Sequence, residues 1–341
     1  MQKILVWLSW GVDSAVSAYL LKEQGYEVAC GFMINYLDEE NPGCPTKIDL
    51  EEARRVSEFL QLPFYTFDYR AEYEKRIVDY IYQEYERGRT PNPDVFCNNL
   101  VKFDLFLEEA LALGYDSIAT GHYAELRDGH LFKGVDPLKD QSYFLSRLSP
   151  FQLAHAIFPI GHLYKSQVRE IAKTVWLPNA ERKDSQGLCF IGKVSMKEFL
   201  ERRFPKKPGN ILNTAWRIIG HHEGAFSYTI GQRRGIAIGG GPALVVIKKD
   251  TKNNTIVVGT EEELFLFSTE CQLSDWIWED IKEWRIYWAK IRYRQGDQEC
   301  SIKKWDSTLE IAFVSPQRAV ASGQICVVYE GDRVVGSGVI N

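Results

Sequence analysis

The sequence predicts an α/β protein with a doubly wound parallel sheet, followed by a small β-rich central domain and a C-terminal antiparallel β-barrel. Strand-like apolar runs alternate with helical periodicity over the first 205 residues, which is typical of a parallel sheet covered by helices. After Pro205 the segments become short strands broken by glycines, and beyond Glu263 they alternate with Gly-Asp and Ser-Gly turns. We therefore place the domains at residues 1–205, 206–262 and 263–341.

The elements of the first domain follow from the spacing of apolar residues and from the residues that end each run. Ile4 to Leu8 is short and apolar and predicts the first buried strand, and Gly25 ends the helix that follows over Ala15–Gln24. The later predicted elements are strands over Tyr26–Asn35, Phe64–Tyr69 and Ser117–Thr120, helices over Leu50–Leu60, Glu72–Arg87, Gln141–Leu148 and Lys165–Trp176, and a hairpin at Asp128-Gly129. Ligands of such sheets bind at the carboxyl ends of the strands.

The composition indicates a globular protein with a large core. The chain has 341 residues, of which 45% are hydrophobic, enough for two or three domains. No apolar run is long enough to cross a bilayer, and no basic and apolar leader precedes the first strand, so we expect a cytoplasmic protein without a membrane partner. The net charge of −5 does not indicate a nucleic-acid binder, so an RNA partner would require basic residues on one face.

The cysteines do not form a pattern that is typical of metal sites or of disulfide frameworks. There are seven, an odd number, and no metal-type C-x-x-C pair occurs among them. We therefore expect no zinc site and treat individual thiols as candidates for chemistry.

The loop after the first strand has the composition of an anion site. Its residues from Leu8 to the start of the helix are Leu8, Ser9, Trp10, Gly11, Val12, Asp13, Ser14 and Ala15. Unpaired backbone N–H groups at a helix start point outward with the positive end of the helix dipole, and Ser9, Asp13 and Ser14 add hydroxyls and a carboxylate. No Walker lysine follows. The S-x-G-x-D-S spacing resembles the PP-loop of ATP pyrophosphatases, and the alternative is an ordinary strand-to-helix turn.

Two further loops carry cysteines in unusual surroundings. In the first, Thr90–Asn99, two prolines precede Asp94 and Cys97, and we expect Cys97 near a helix start, where a thiolate is favoured. In the second, Asp184–Gly192, Cys189 lies between two glycines. For either cysteine alone, a buried structural thiol is the usual interpretation. Together on one catalytic edge they would form a thiol pair.

The motifs taken together resemble the tRNA-specific 2-thiouridylase family in order along nearly the whole chain. Besides the three loops, the resemblance is carried by Lys102-Phe103, Gly121–Ala124, Lys139–Leu145, Phe158–Gly161, Tyr228–Arg233 and Lys290–Arg294. It implies a PP-loop fold like that of the adenine nucleotide alpha hydrolases. It also implies thiolation of the wobble uridine of tRNA at C2, with ATP, accompanied by Mg²⁺, adenylating the uridine oxygen.

The resemblance also assigns roles to the thiols and to the loop carboxylate. A persulfide received from a sulfur-donor protein would sit on Cys189, and its sulfur would displace AMP. Cys97 would then attack the persulfide, closing a Cys97–Cys189 disulfide that a reductant reopens. Asp94 would act as the local acid or base.

The remaining site residues are implied by their positions in the same motifs. Met33 and Gly121 are assigned to the nucleotide, and Asn92 and Asp94, with Pro93 between them, to the flipped uridine. The residues assigned to tRNA are His122, Lys139, Asp140, Gln141, Arg292, Tyr293 and Gln324. Without the resemblance, Met33 would be interpreted as a core residue and His122 as a loop histidine with a local partner.

Two other functions stay open at this point. One is another PP-loop adenylating enzyme, which would not need the paired cysteines. The other is a catalytically weakened tRNA-binding protein, because Trp10 stands where the family loop has a glycine. A left-handed backbone at Trp10 would cost roughly 1–2 kcal/mol, so either the loop takes another path or ATP binding is weakened. Trp7, Trp176 and Trp216 also stand where the resemblance predicts small residues.

Overall fold

A computed structural model describes residues 1–36, 45–183, 195–236, 238–239, 241–263, 266–278, 281–283, 285–305 and 308–341. The chain forms two compact units. The first contains Met1–Ile77, Pro93–Gly192 and Asp332–Val334, and the second contains Val78–Asn92, Lys193–Gly331 and Val335–Asn341.

The first unit is built on a parallel sheet of five strands. The strands in chain order are β1 (Lys3–Trp7), β2 (Glu27–Ile34), β3 (Phe64–Asp68), β4 (Ser117–Ala119) and, numbered after the hairpin strands β5 (Ala124–Arg127) and β6 (His130–Lys133), β7 (Ala156–Ile157). Their spatial order is β3-β2-β1-β4-β7. In register, Val6 of β1 lies beside Cys30 on one side and Ala119 on the other. The carboxyl ends of β1 and β4 are therefore neighbours at one edge.

Helices accompany this sheet as the apolar periodicity predicts. Those of the first unit are α1 (Val12–Glu23), α2 (Pro45–Phe59), α3 (Arg70–Tyr73) and, after α4 (Asp79–Glu86) of the second unit, α5 (Pro93–Cys97), α6 (Phe106–Ala112), α7 (Ser142–Leu145), α8 (Pro150–Ala154) and α9 (Lys165–Thr174). Apolar side chains of the central strands pack against α1, α2 and α9 in one buried core that includes Val6, Val16, Ala53, Ala119 and Val168. The predicted strands, the first helices and the hairpin are confirmed within a few residues.

Two predicted helices differ from the sequence periodicity. The helix predicted over Glu72–Arg87 consists of α3, a π-helical segment at Glu74–Val78 and α4. The helix predicted near Gln141–Leu148 is reduced to the single turn of α7. Its neighbourhood is organised instead by Asp140, whose carboxylate accepts backbone N–H groups of Gly134 at 3.1 Å and Ser142 at 3.0 Å.

The second unit begins its β-structure with a four-stranded sheet. After α10 (Met196–Glu201), its strands are β8 (Gly209–Leu212), β9 (Ile218–His222), β10 (Val245–Asp250) and β11 (Thr255–Gly259), in the order β10-β11-β8-β9. A small core that includes Ile211, Val246 and Ile256 lies against it. This is the predicted β-rich central segment.

Six antiparallel strands then close into a barrel. They are β12 (Phe267–Trp278), β13 (Tyr287–Lys290), β14 (Gln298–Lys304), β15 (Leu309–Arg318), β16 (Ile325–Glu330) and β17 (Arg333–Ile340). Their order is β12-β15-β14-β13-β16-β17, and β12 also pairs with β17, which closes the ring. The interior is apolar and includes Leu273, Ile302 and Val328. The predicted C-terminal barrel is confirmed.

Trp176 and Trp216 occupy backbone conformations that favour glycine. Their φ angles are 59° and 60°, and their side chains are 82% and 63% exposed. Trp176 follows the end of α9, where its N–H bonds to the carbonyl of Lys173 at 3.1 Å and that of Leu177 to Ala172 at 2.9 Å. These two bonds form a Schellman motif, whose left-handed residue is usually glycine. The expectation of small residues at these two positions thus has a physical basis.

Trp176→Gly should therefore stabilise the protein by about 0.5–1 kcal/mol. Removing the left-handed strain gains roughly 1–2 kcal/mol, and the greater freedom of glycine in the unfolded chain offsets about half of it. The measurement is the free energy of unfolding in urea. Trp176→Ala is the matched control, because alanine removes the exposed indole but retains the strain. Equal stabilisation by alanine would show that the backbone is not the cause.

Candidate active site

The loop between β1 and α1 is held by its own serines. The Ser9 hydroxyl accepts the Gly11 N–H at 3.2 Å and lies 3.0 Å from the Ser14 hydroxyl. Ser14 in turn donates to the carbonyl of Ser9 or Gly11, each at 3.1 Å. Gly11 is the N-cap residue of α1 in an extended conformation, and no side chain caps this helix start. The first N–H groups of α1 are thus oriented to meet an anion.

The backbone of Trp10 is not left-handed. Its φ is not positive, so the strain expected from replacing glycine is absent. Its carbonyl accepts a hydrogen bond from the Asn179 side chain at 3.1 Å. Its indole lies under the Arg182 guanidinium, whose carbon is 4.2 Å from the ring centroid. Of the two alternatives for Trp10, the strained left-handed loop is therefore excluded, and with it the physical basis for a weakened loop.

Asp13 lies in the first turn of α1 and has two side-chain partners. Its Oδ1 accepts the Tyr123 hydroxyl at 2.8 Å and the Lys165 ammonium at 2.6 Å. Sequence reasoning missed both partners. Lys165 lies 152 positions further along the chain and is the first residue of α9. Lys165 stands at a helix start, where a cation is unfavourable beside the positive end of the helix dipole. That unfavourable position was the one feature of the sequence that could have indicated a carboxylate partner.

Gly121, at the carboxyl end of β4, packs directly against the start of α1. A Cβ at this position would lie 2.6 Å from the Ser14 nitrogen and 2.8 Å from the Asp13 carbonyl carbon. These are backbone atoms and cannot rotate away. The close approach of the two segments therefore requires glycine here, independently of any role of Gly121 in nucleotide binding.

Gly121→Ala should weaken ATP binding about tenfold or more. The added methyl group must push the first turn of α1, and its N–H groups would lose charge-assisted hydrogen bonds to phosphate. Calorimetric titration with ATP measures the change. Gly296→Ala is the control, because a Cβ there meets nothing within 4 Å. An unchanged ATP affinity for Gly121→Ala would contradict the assignment of this loop to phosphate.

Met33 is a buried strand residue, 5% exposed, paired in register with Phe67 of β3. Its role at the nucleotide stays a prediction.

The second loop places Asp94 and Cys97 on one short helix. Both belong to α5, which begins at Pro93, and Cys97 is followed without a break by a π-helical segment, Asn98–Leu105. Cys97 is 2% exposed. It lies four positions after the first residue of the helix, which therefore begins earlier than predicted, and the activation of the Cys97 thiol stays a prediction. Cys189 and the rest of the Asp184–Gly192 loop lie outside the described residues.

Lys102 is a buried cation close to this helix. The residue is 7% exposed, and its ammonium lies 4.1 Å from the centroid of the Trp7 ring. Burial raises the pKa of Asp94, and the positive charge of Lys102 partly lowers it. Burial also holds the pKa of His122 well below its usual value, and Lys102 lowers it further. His122 is therefore neutral at physiological pH, while Asp94 is easier to protonate than an exposed aspartate.

The first group of predicted tRNA residues is largely engaged within the first unit. Nδ1 of His122 lies 2.7 Å from the Thr120 hydroxyl, and the residue is 6% exposed. Asp140 is 7% exposed, and its carboxylate accepts the backbone N–H groups of Gly134 and Ser142. The Gln141 side chain accepts the Tyr123 N–H at 3.0 Å. Lys139 is half-buried. These contacts favour a role for His122, Asp140 and Gln141 in shaping the loop.

The second group lies in the second unit. The Arg292 guanidinium donates to the carbonyls of Arg318 and Ala319. The Gln324 amide donates to the carbonyls of Thr90 and Pro91 at 2.8 and 3.2 Å. Tyr293 and Asn92 are half-buried. Gln324 thus supports the chain immediately before the Asn92–Asp94 loop, which the sequence did not reveal.

Two features are absent from the described part of the chain. Within it, no group of three or more His, Cys, Asp or Glu residues could hold a metal ion. Nor is any helix there long and apolar enough to cross a membrane.

Three family descriptions match the chain in succession. The tRNA methyl transferase HUP domain matches residues 2–193, the tRNA methyl transferase PRC-barrel domain residues 197–260, and the aminomethyltransferase beta-barrel domain residues 268–340.

Curated relatives match over nearly their full length. The tRNA-specific 2-thiouridylase MnmA of Methylobacillus flagellatus is 43% identical, over 99% of this chain and 98% of that protein. Those of Thiobacillus denitrificans and Shouchella clausii are each 44% identical over 99% of this chain, covering 99% and 96% of those proteins.

Proposed function

The chain belongs to the tRNA-specific 2-thiouridylase family, and we propose that the loop between β1 and α1 serves adenylation and that the Thr90–Asn99 loop serves sulfur transfer. It is a tRNA sulfurtransferase that uses ATP and forms 2-thiouridine. The observation that carries this conclusion is the identity of 43–44% along almost all of both chains.

Adenylation would take place at the loop between β1 and α1. The N–H groups at the start of α1 and the hydroxyls of Ser9 and Ser14 bind the phosphates of ATP. The uridine O2 then forms a bond to the α-phosphorus while the bond to the α,β-bridging oxygen breaks, and the electron pair leaves with pyrophosphate. Mg²⁺ would accompany ATP and neutralise phosphate charge, and the partly exposed Asp13 carboxylate is an oxygen ligand of the type that it prefers.

Sulfur transfer would take place at Asp94 and Cys97. A sulfur-donor protein leaves a persulfide on Cys189, whose terminal sulfur bonds to C2 of the adenylated uridine, and the C2–O bond breaks to release AMP. The Cys97 thiolate attacks the Sγ atom of Cys189, the old S–S bond breaks, and a Cys97–Cys189 disulfide remains for a reductant. Asp94, whose pKa is raised by burial, acts as the local acid or base for the proton of the uridine.

The binding of tRNA is proposed to involve both units. Asn92, Pro93 and Asp94 meet the flipped uridine, and residues 1–205, 206–262 and 263–341 act as the catalytic, central and tRNA-contacting domains. The residues proposed to contact or shape the tRNA surface are His122, Lys139, Asp140, Gln141, Arg292, Tyr293 and Gln324. We propose the cytoplasm as the site of action, because its substrate is tRNA.

A direct test is nucleoside mass spectrometry of unmodified tRNA after incubation with the protein. We expect 2-thiouridine at the wobble position only when ATP and a persulfide donor are both present. Another PP-loop adenylating enzyme would consume ATP without forming a thiolated base, and that result would contradict the proposal.

A further inference from the structure

Lys165 reaches the phosphate loop from a distant part of the chain. Its backbone N–H donates to Oδ2 of Asp136 at 2.9 Å, and its ammonium donates to Oδ1 of Asp13 at 2.6 Å. The side chain is only 12% exposed. Both ends of the lysine are therefore positioned by carboxylates.

If only the dipoles of α1 and α9 are considered, the position of the Lys165 ammonium is electrostatically unfavourable. Lys165 is the first residue of α9, a helix with no acidic residue in its first turn, and its ammonium lies at the first turn of α1. Helix dipoles place partial positive charge at both of these ends. Asp13 offsets the repulsion, but its side chain is 30% exposed and so is partly screened by water. A cation beside two positive helix ends favours the binding of a polyanion at this place.

The surrounding packing holds the lysine in place in the structure described here. Val12 and Val16 of α1 share one buried core with Val168 and Ala172 of α9, which fixes the two helix starts. The Tyr123 hydroxyl holds the same Asp13 oxygen at 2.8 Å. Because the side chain is already ordered, little conformational entropy remains to be lost when it binds a ligand.

We propose that Lys165 binds the β,γ-phosphates of ATP and stabilises the departing pyrophosphate. This inference rests on the proposed function. When ATP binds, the ammonium moves its hydrogen bond from Asp13 to a phosphate oxygen. As the bond between the α-phosphorus and the bridging oxygen breaks, negative charge grows on pyrophosphate, beside the Lys165 charge. The lysine that the loop itself lacks is thus supplied by α9.

The experiment compares Lys165→Met and Lys165→Gln with Lys165→Arg and with a control on the same helix. Lys173→Met is the control, because Lys173 also pairs with a carboxylate, Glu181 at 3.1 Å, but is 57% exposed. Affinities for ATP, pyrophosphate and AMP are measured by calorimetry, and tRNA-dependent pyrophosphate release by a coupled assay. Melting temperatures identify the variant, Met or Gln, that keeps the native fold.

We expect the neutral variant to weaken ATP and pyrophosphate about tenfold or more and to leave AMP within about twofold, since only the first two carry the contacted phosphates. Lys165→Arg should recover much of the loss, and Lys173→Met should behave as the wild type. Unchanged ATP affinity, or an equal loss for AMP, would overturn the inference. Failure of the wild type itself to bind ATP would instead reject the proposed function.

Discussion

Replacing Cys97 by serine is expected to abolish the formation of 2-thiouridine while leaving tRNA-dependent pyrophosphate release intact. Serine is nearly isosteric with cysteine, but its hydroxyl is not ionised at neutral pH and cannot attack the Cys189 sulfur. The Cys97→Ser protein should still accept a persulfide on Cys189, which mass spectrometry of the intact chain can detect.

A variant of the other cysteine separates the loading of the persulfide on Cys189 from the release of sulfur by Cys97. Cys189→Ser should also lose thiolation, but it should carry no persulfide. Cys300→Ala is the matched control, because Cys300 is a buried thiol, 1% exposed, in the barrel core. Thiolation by Cys97→Ser at the wild-type rate would show that this thiol does not release the sulfur.

Asp94→Asn should slow thiolation by about 10²–10⁴-fold, the usual range for a positioned general acid or base. The amide is of similar size but cannot exchange the proton of the uridine. Single-turnover assays with bound ATP and tRNA would measure the chemical step, and binding of tRNA should change little. A loss of tRNA affinity that accounts for the whole decrease would assign Asp94 to binding alone.

The pH dependence provides a second readout for the same carboxyl group. If the ionised form acts as the base, activity rises with pH through the pKa of Asp94, which burial raises and Lys102 lowers. Lys102→Met removes the lowering charge, so the acidic limb of the profile should move to higher pH. Lys75→Met, an exposed lysine, should leave the profile unchanged. A shift toward lower pH would contradict the electrostatic assignment.

The sequence predicts those parts of the fold that depend on local patterns. Ile4–Leu8 is apolar and short and ends at a cluster of turn residues, and β1 and α1 form where these signals lie. The Gln141–Leu148 helix was overestimated because the carbonyls of Phe144 and Arg147 accept the side-chain amides of Asn98 and Asn99, and periodicity does not report such contacts. Local patterns predict elements well where no tertiary hydrogen bond competes with them.

The site is less accessible to sequence reasoning, because its contacts join distant residues. The pairing of Asp13 with Lys165 depends on the packing of α9 against α1, and nothing near either residue in the chain indicates it. Likewise, the backbone path at Trp10 depends on Asn179, which holds its carbonyl. The motif predicted a loop between the first strand and the first helix, but the contacts of Asp13 and Trp10 with distant residues determine its charge and conformation.

Counting the products of one reaction shows whether one adenylation precedes each sulfur transfer. Pyrophosphate and 2-thiouridine would be quantified together over time, with unmodified tRNA, ATP and a persulfide donor. We expect equal amounts of the two products when the donor is in excess, and no pyrophosphate without tRNA. Formation of 2-thiouridine without stoichiometric pyrophosphate, or release of pyrophosphate that does not depend on tRNA, would contradict this expectation.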